Sequence, residues 1–356
     1  MTALISDTSP QTVVFGSGTR YRVKDYLKAL GCERALVLST PQQSDIAMDV
    51  AAGLNGSVAG VFTCAAMHTP VDVTTSALEH AREINADCLV AVGGGSTTGL
   101  GKALALRTDM PQIVIPTTYA GSEATPILGQ TENGVKTTLT DAKVLPEVIL
   151  YDPDLTLSLP IGMTVTSGLN AMAHAAEALY AQDRTLDSSA LAANGLRAFK
   201  AALPTLIKDP QDTAAREEAQ QGAYACGAVL GQVGMALHHK LCHTLGGSFD
   251  LPHAETHAIV LPHAIHFNAV AVPELLQQVS AIFGGDEPVQ ALWSFAKEIG
   301  APLALQDLGL KESDLDRATE IALSKPYWNP REITAAGIRA LLQDAWAGVA
   351  PGSQTS

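Results

Sequence analysis

Two residue patterns of different period meet near Pro160, and that junction limits the fold of this chain more than any other feature. Before it, the short apolar runs TVVFGSG, RALVLST, VAGVFT, CLVAVGGGS, QIVIPTT and EVILYDP alternate with amphipathic stretches such as YRVKDYLKALG and VTTSALEHAREINA. Alternation of this kind predicts a largely parallel sheet with helices on both faces and ligands at the carboxyl ends of the strands. After it, MTVTSGLNAMAHAAEALYA, SSALAANGLRAFKAALPTLI, AAREEAQQGAYACGAVLGQVGMALHHKLCHTLGG and VQALWSFAKEIG carry helical patterns with few strand-like segments. The expected organisation is an α/β domain over residues 1–159 and an all-α domain over 160–356, with a frayed tail from Val349.

The bulk properties exclude several classes. A chain of 356 residues that is 47% hydrophobic and 16% charged is globular and long enough for two domains. Its net charge of -14 leaves no electrostatic footprint for nucleic acid or for an anionic membrane surface, although a local pocket can still receive an anion. No apolar run reaches membrane-spanning length, and MTALISDTSPQTVVFGSG lacks a basic segment followed by an apolar core, so a soluble cytoplasmic protein is expected. The five cysteines are scattered with no C-x-x-C pair, which argues against a disulfide framework. Cys242 adjoins His243, but neighbours on a helix point about 100° apart, so a thiol–imidazole pair between them is not expected.

Three consecutive glycines end the run CLVAVGGGS, and a helix opens at STTGLGKALA. Gly94, Gly95 and Ser96 would then offer backbone N–H groups and a helix N-terminus to a pyrophosphate, with Thr97 beside them. A tight turn alone would use the same glycines. Lys102, further along this helix, either reaches a phosphate or stays solvated. IPTTYAGSEATP supplies Thr117, Thr118 and Ser122 where another strand stops, as ribose or nicotinamide contacts or simply as a polar loop. Gly16 and Gly18, at the end of the first strand, have the same character.

Asn170 precedes His174 by four residues in GLNAMAHAAEAL, and His239 precedes His243 by four in LHHKLCHTLGGSFDLPH, so each pair shares one face of its helix. His253 follows. Eight of the ten histidines lie between residues 174 and 266, a density that points to a pocket. Asn170 either lines that pocket or is a buried amide joining two helices. His238 is turned about 100° from His239 and is expected to be exposed or packed. His263 and His266 are expected to cap or pack, and His68 and His80 to be solvated.

These motifs, in this order, resemble the iron-containing alcohol dehydrogenase superfamily over nearly the whole chain. More narrowly, GGGSTTGLGKA, NGVKTTLTDAKVLPEVILYDP, PHAETHAIVLPH and YWNPREI are similar to the maleylacetate reductase family. The resemblance implies an NAD(P)-binding α/β domain, a helical catalytic domain of the dehydroquinate synthase-like kind and an active site in the cleft between them, in a homodimer or larger assembly. The activity it implies is reduction of the carbon–carbon double bond of maleylacetate to 3-oxoadipate, late in the breakdown of resorcinol, hydroxyquinol and chlorinated aromatics. In metal-dependent members an aspartate and three histidines hold iron or zinc, and these positions fall on Asn170, His174, His239 and His253. The usual aspartate of the glycine-rich motif falls on Gly99.

Asn170 is the departure that decides the chemistry. A neutral amide is a weaker ligand than a carboxylate, and its NH₂ can donate to a substrate carboxylate or ketone, so no metal is expected even though three imidazoles alone can hold one. Hydride addition to an alkene conjugated with a ketone develops an enolate, which a protonated histidine or an amide can stabilise before a second acid protonates carbon. His243 is the expected proton donor or oxyanion contact, with His174, His239, His253 and Asn170 lining the pocket and His257 a further contact. The doubly anionic dicarboxylate needs partners, for which KPYWNPREI offers Tyr327 and Arg331, the latter equally able to form a salt bridge near Glu332. Thr40 stands where many relatives carry an aspartate that repels the extra phosphate of NADP. No cation follows at once in PQQSD, so NADH is expected first and NADPH second. The rival readings are a metal-dependent alcohol dehydrogenase, a non-redox dehydroquinate synthase-like lyase and a noncatalytic nucleotide binder.

Overall fold

The computed structural model describes residues 3–4, 11–285 and 287–353. They form two compact units, one of Met1–Leu159 with Gln211–Tyr224 and one of Pro160–Pro210 with Ala225–Ser356.

In the first unit the strands are β1 (Ala3–Leu4), β2 (Thr12–Phe15), β3 (Ala35–Leu38), β4 (Val58–Phe62), β5 (Cys88–Gly93), β6 (Gln112–Pro116), β7 (Ile127–Glu132), β8 (Val135–Thr140) and β9 (Val148–Tyr151). Seven of them make one sheet in the order β1-β2-β9-β6-β5-β3-β4, parallel throughout except for the β1–β2 edge. The central strands are continuous apolar runs because both faces are covered. On one face Val37, Val90, Ile113 and Leu150 pack with helices α1 (Val23–Ala29) and α2 (Ser44–Gly53). On the other, Leu36, Leu38 and Leu89 pack with α3 (Val71–Glu83) and α4 (Gly95–Thr108).

From β3 the chain steps outward to β4 and then returns to the other side of β3 as β5, so the strand order reverses between β3 and β5. Chains with such a reversal open a crevice at the carboxyl ends of the two strands, since their following segments leave toward opposite sides. Leu38 pairs with Ala91 and Gly93 with Pro116, which sets the ends of β3, β5 and β6 side by side.

The sequence reading placed residues 160–356 in one domain, and the structure corrects it for Gln211–Tyr224, which group with the first unit. The start of helix α7 (Thr213–Leu230) carries the reason. Arg216 is fully buried there and donates to the Tyr119 hydroxyl at 3.1 Å and to the Leu159 carbonyl at 3.4 Å. The Tyr224 ring stands edge-on to the stacked pair Phe15 and Tyr151.

The second unit is helical: α5 (Ile161–Ala178), α6 (Leu186–Lys208), the end of α7, α8 (Leu237–Phe249), α9 (His253–Ala269), α10 (Pro273–Phe283), α11 (Pro288–Glu298), α12 (Leu315–Leu323) and α13 (Ala335–Ala347). The long run AAREEAQQ…TLGG is divided at residues 231–236, where Gly231 and Gly234 interrupt it and the Gly234 N–H is taken up by Asp183 at 2.9 Å. Helix α5 packs on α9, and α9 on α8, around Leu237, Leu241, Leu245, Ile259, Val260 and Ala264. Among the described residues no helix is long and apolar enough to cross a membrane.

Candidate active site

In the first unit most of the expected cofactor residues lie at the carboxyl ends of β3, β5 and β6, while Gly16 and Gly18 follow β2. Gly94 links β5 to α4, and no side chain caps that helix, so its first N–H groups remain for an anion. A Cβ on Gly94 would stand 2.9 Å from Thr118 Cγ2, which explains glycine there by close approach of the β6 loop. Gly95 and Ser96 form the first turn of α4, and Thr40 begins the short turn after β3. Gly18, in a left-handed conformation, donates its N–H to Asp152 at 3.1 Å, and the Gly16 N–H goes to the Tyr151 carbonyl.

Two of the expected contact residues are packed within the protein. Thr97 is fully buried beneath Gly93, where a Cβ on the glycine would fall 2.3 Å from its hydroxyl, so it packs the turn from below. Thr117 is buried and its hydroxyl accepts from Gln43 Nε2 at 2.5 Å, which ties the β6 loop to the turn after β3. Thr118 and Ser122 stay half-buried. At Gly99, the position of the superfamily aspartate, a Cβ would lie 2.2 Å from Thr69 Oγ1, so the Thr69 side chain fills that space.

Lys102 is neither solvated nor free for a phosphate. It is 1% exposed, and its ammonium donates to the carbonyls of Ser122, Thr125 and Ile127 at 2.6, 2.7 and 2.8 Å and lies 2.9 Å from Thr125 Oγ1. Burial pushes its pKa down to about 7, partly opposed by the carboxylate of Glu123. The lysine thus fastens the loop carrying Thr117, Thr118 and Ser122 to α4.

The second unit holds the histidine centre. Asn170, His174 and Glu177 lie on one face of α5 and are buried. His174 Nδ1 is 2.8 Å from His239 Nε2, and His239 Nδ1 is 2.7 Å from Glu177 Oε2. His257 packs its ring against those of His253, His238 and His239 at 4.2, 4.9 and 5.2 Å between centroids. His243 is exposed on α8, with its ring perpendicular to His239 at 6.2 Å, and His253 opens α9 half-buried.

His238 is packed rather than exposed. Its Nε2 donates to the His257 carbonyl at 3.0 Å, and the Cys242 thiol sits 3.6 Å from that same nitrogen. Burial and the neighbouring His239 push the His238 pKa down to about 4. Burial, with neighbouring imidazoles, also holds His239 and His257 well below the ordinary histidine value, so all three are neutral near pH 7. Burial likewise raises the Cys242 thiol, which removes it as a nucleophile.

Polar atoms are left for a ligand. The Asn170 carbonyl oxygen, both ring nitrogens of His257 and the Tyr327 hydroxyl are buried with no hydrogen-bond partner among the described residues. Orphaned groups of this kind cost about 1 to 3 kcal/mol each, a cost that a polar ligand recovers. Lys240 places its ammonium 5.6 Å from the centre of the Tyr327 ring.

Arg331, expected on a substrate carboxylate or beside Glu332, is held as an anchor of its loop. Its Nη1 donates to the Phe267 carbonyl at 2.8 Å and its guanidinium lies over the Phe267 ring at 4.3 Å. Asn329 holds the same loop by exchanging hydrogen bonds with Asn268 at 2.7 and 3.0 Å. The residue that sequence reasoning missed is Glu177. Its signal was present, since an acid three residues after His174 and seven after Asn170 shares their helical face.

Two family models match the chain, the iron-containing alcohol dehydrogenase model over residues 10–153 and the C-terminal model of the Fe-containing alcohol dehydrogenase family over 164–346. The maleylacetate reductase of Rhizobium sp. (strain MTP-10005) is 58% identical over 99% of this chain and 100% of its own. That of Sphingobium indicum is 51% identical over 98% of each. The crystal structure of maleylacetate reductase from Agrobacterium tumefaciens is 56% identical and matches with a TM-score of 0.94, covering 99% of this chain and 100% of that one.

Proposed function

The chain belongs to the iron-containing alcohol dehydrogenase family, and from that membership we propose that it reduces the carbon–carbon double bond of maleylacetate to 3-oxoadipate with NADH, and secondarily with NADPH. The full-length identity of 58% to a maleylacetate reductase carries the reading. Hydride from the nicotinamide forms a C–H bond at the alkene carbon remote from the ketone, and the π pair moves to leave negative charge on the ketone oxygen. A proton then goes to the other alkene carbon. His174 stabilises the developing enolate, and His243, exposed and able to exchange with water, supplies the proton. With Arg331 anchored to Phe267, Lys240 beside Tyr327 takes its place as the cation for a substrate carboxylate.

The proposal extends to a reaction without metal. Two features support it. Asn170 offers a neutral amide where metal-dependent members have a carboxylate, and both ring nitrogens of His239 are already engaged, one by Glu177 and one by His174. His238, His239 and His257 do bring nitrogens within 4.8 Å of one another, yet His238 Nε2 is held by a carbonyl and His239 Nδ1 by Glu177. The neutral Asn170 amide and these contacts are what support the metal-free reading. Enzyme dialysed against a strong chelator is therefore expected to oxidise NADH in the presence of maleylacetate at its full rate, with Asn170→Asp much slower because a carboxylate repels the enolate. Turnover that returns only with added iron or zinc would overturn the metal-free reading. The same membership supports a homodimer in the cytoplasm, for which light scattering should give twice the mass of the chain.

A further inference from the structure

We infer that Glu177 is a positioning residue for this reaction, fixing the tautomer of His239 and, through it, the proton arrangement of His174. The inference rests on the reduction proposed above, in which His174 meets the substrate.

Glu177 is 1% exposed and accepts from five donors. Its Oε1 receives the His238 N–H at 2.8 Å and the Tyr180 hydroxyl at 3.2 Å. Its Oε2 receives the Ala236 N–H at 3.0 Å, the His239 N–H at 3.4 Å and His239 Nδ1 at 2.7 Å. Helix α8 has no side-chain cap of its own, and Ala236, His238 and His239 are at its beginning, so a carboxylate from α5 caps it. A backbone N–H can only donate. Both oxygens act as acceptors for these N–H groups, and the 2.7 Å contact is assigned to a hydrogen on His239 Nδ1 donated to Oε2.

With that hydrogen placed, neutral His239 presents a lone pair at Nε2, where His174 Nδ1 lies 2.8 Å away. His174 then donates there, and in the reaction proposed above its Nε2 is the nitrogen that meets the substrate. When His174 carries a second proton, that proton is on Nε2, where it meets the enolate oxygen, while the positive charge is balanced by Glu177 across His239. Glu177 touches neither substrate nor cofactor in this scheme, and acts only by orienting two imidazoles.

The test is Glu177→Gln, measured by steady-state kinetics and by long-range ¹⁵N correlation spectra of the histidine rings. In the unaltered protein His239 is expected as the single Nδ1–H tautomer. In the variant, whose amide can donate to Nδ1, His239 is expected to shift toward the Nε2–H form. The maleylacetate kcat should fall about 100-fold, as for removal of a partner that orients a catalytic imidazole. KM should move by less than about threefold, since the residue binds no substrate. A merely structural role would leave the tautomer unchanged. The inference is overturned if unaltered His239 carries its proton on Nε2, or if the variant keeps kcat within about threefold of the original. The spectrum of the unaltered protein decides the tautomer even if the variant does not fold. It also needs no substrate, so failure to reduce maleylacetate would refute the proposed reaction and leave the tautomer assignment to its own result.

Discussion

Lys102→Met is expected to destabilise the protein by about 3 kcal/mol or more, because methionine fills the volume but satisfies none of the acceptors around the ammonium. The carbonyls of Thr125 and Ile127 lose the ammonium in a buried region, while that of Ser122 keeps the Thr125 N–H and hydroxyl. Each orphaned carbonyl costs about 1 to 3 kcal/mol, and some relaxation is expected. A loss of this size is a large share of the roughly 5 to 15 kcal/mol that holds a domain folded. Urea unfolding followed by circular dichroism measures it. A midpoint unchanged from the original protein would show that the ammonium is dispensable. The same variant should bind NADH more weakly, since the loop bearing Thr118 and Ser122 is no longer fastened to α4.

Lys102 also gives stability a pH dependence of known sign. Its folded pKa is pushed down to about 7 from an unfolded value of 10.5. Between these values the unfolded chain binds the proton and the folded chain releases it, so stability rises with pH through this window. Below about 7 both states are protonated and the site contributes no slope. Lys102→Met should flatten the rise, which denaturation at a series of pH values between 7 and 10 would display.

His174→Gln is the largest expected effect on activity, a fall in kcat of about 10² to 10³, the cost of removing one donor to a developing oxyanion. Affinity for NADH should be unchanged, because the residues expected at the cofactor lie in the other unit. His243→Gln separates the two roles. Loss of a general acid should be partly restored by added imidazole, whereas loss of the buried His174 should not. Stopped-flow measurement of NADH oxidation distinguishes them, and near-original turnover in His174→Gln would remove it from the reaction.

The parts of this protein that the sequence made legible are those with a strong local signature. All six apolar runs became strands of the parallel sheet, since a strand covered on both faces has no polar side to blur its pattern. The β7–β8 hairpin was missed because β8 is largely exposed, β7 is mostly half-buried and neither shows clean alternation, although Asn133 and Gly134 at its turn, with φ of 49° and 76°, carry the usual signal. Lys102 and Arg331 were misread for a shared reason. Both spend their charge on main-chain carbonyls, and a carbonyl leaves no trace in residue identity. Asn170 and the histidines were legible through their spacing, whereas Glu177, in an alanine-rich helix, is a lone acid with no metal-ligand or catalytic motif to single it out.

The assignment of Gln211–Tyr224 to the first unit bears on how the chain is made. A ribosome that has released β9 has supplied every strand of the sheet, yet Arg216 and Tyr224 are still to come. In between it must make all of α5 and α6, which belong to the other unit. During that interval Tyr119 lacks its guanidinium partner and the stacked rings of Phe15 and Tyr151 lack their cover. The nascent sheet therefore waits, with apolar surface open, on residues that arrive only after α5 and α6 of the second unit have been translated. The two units are coupled in time by the order of synthesis.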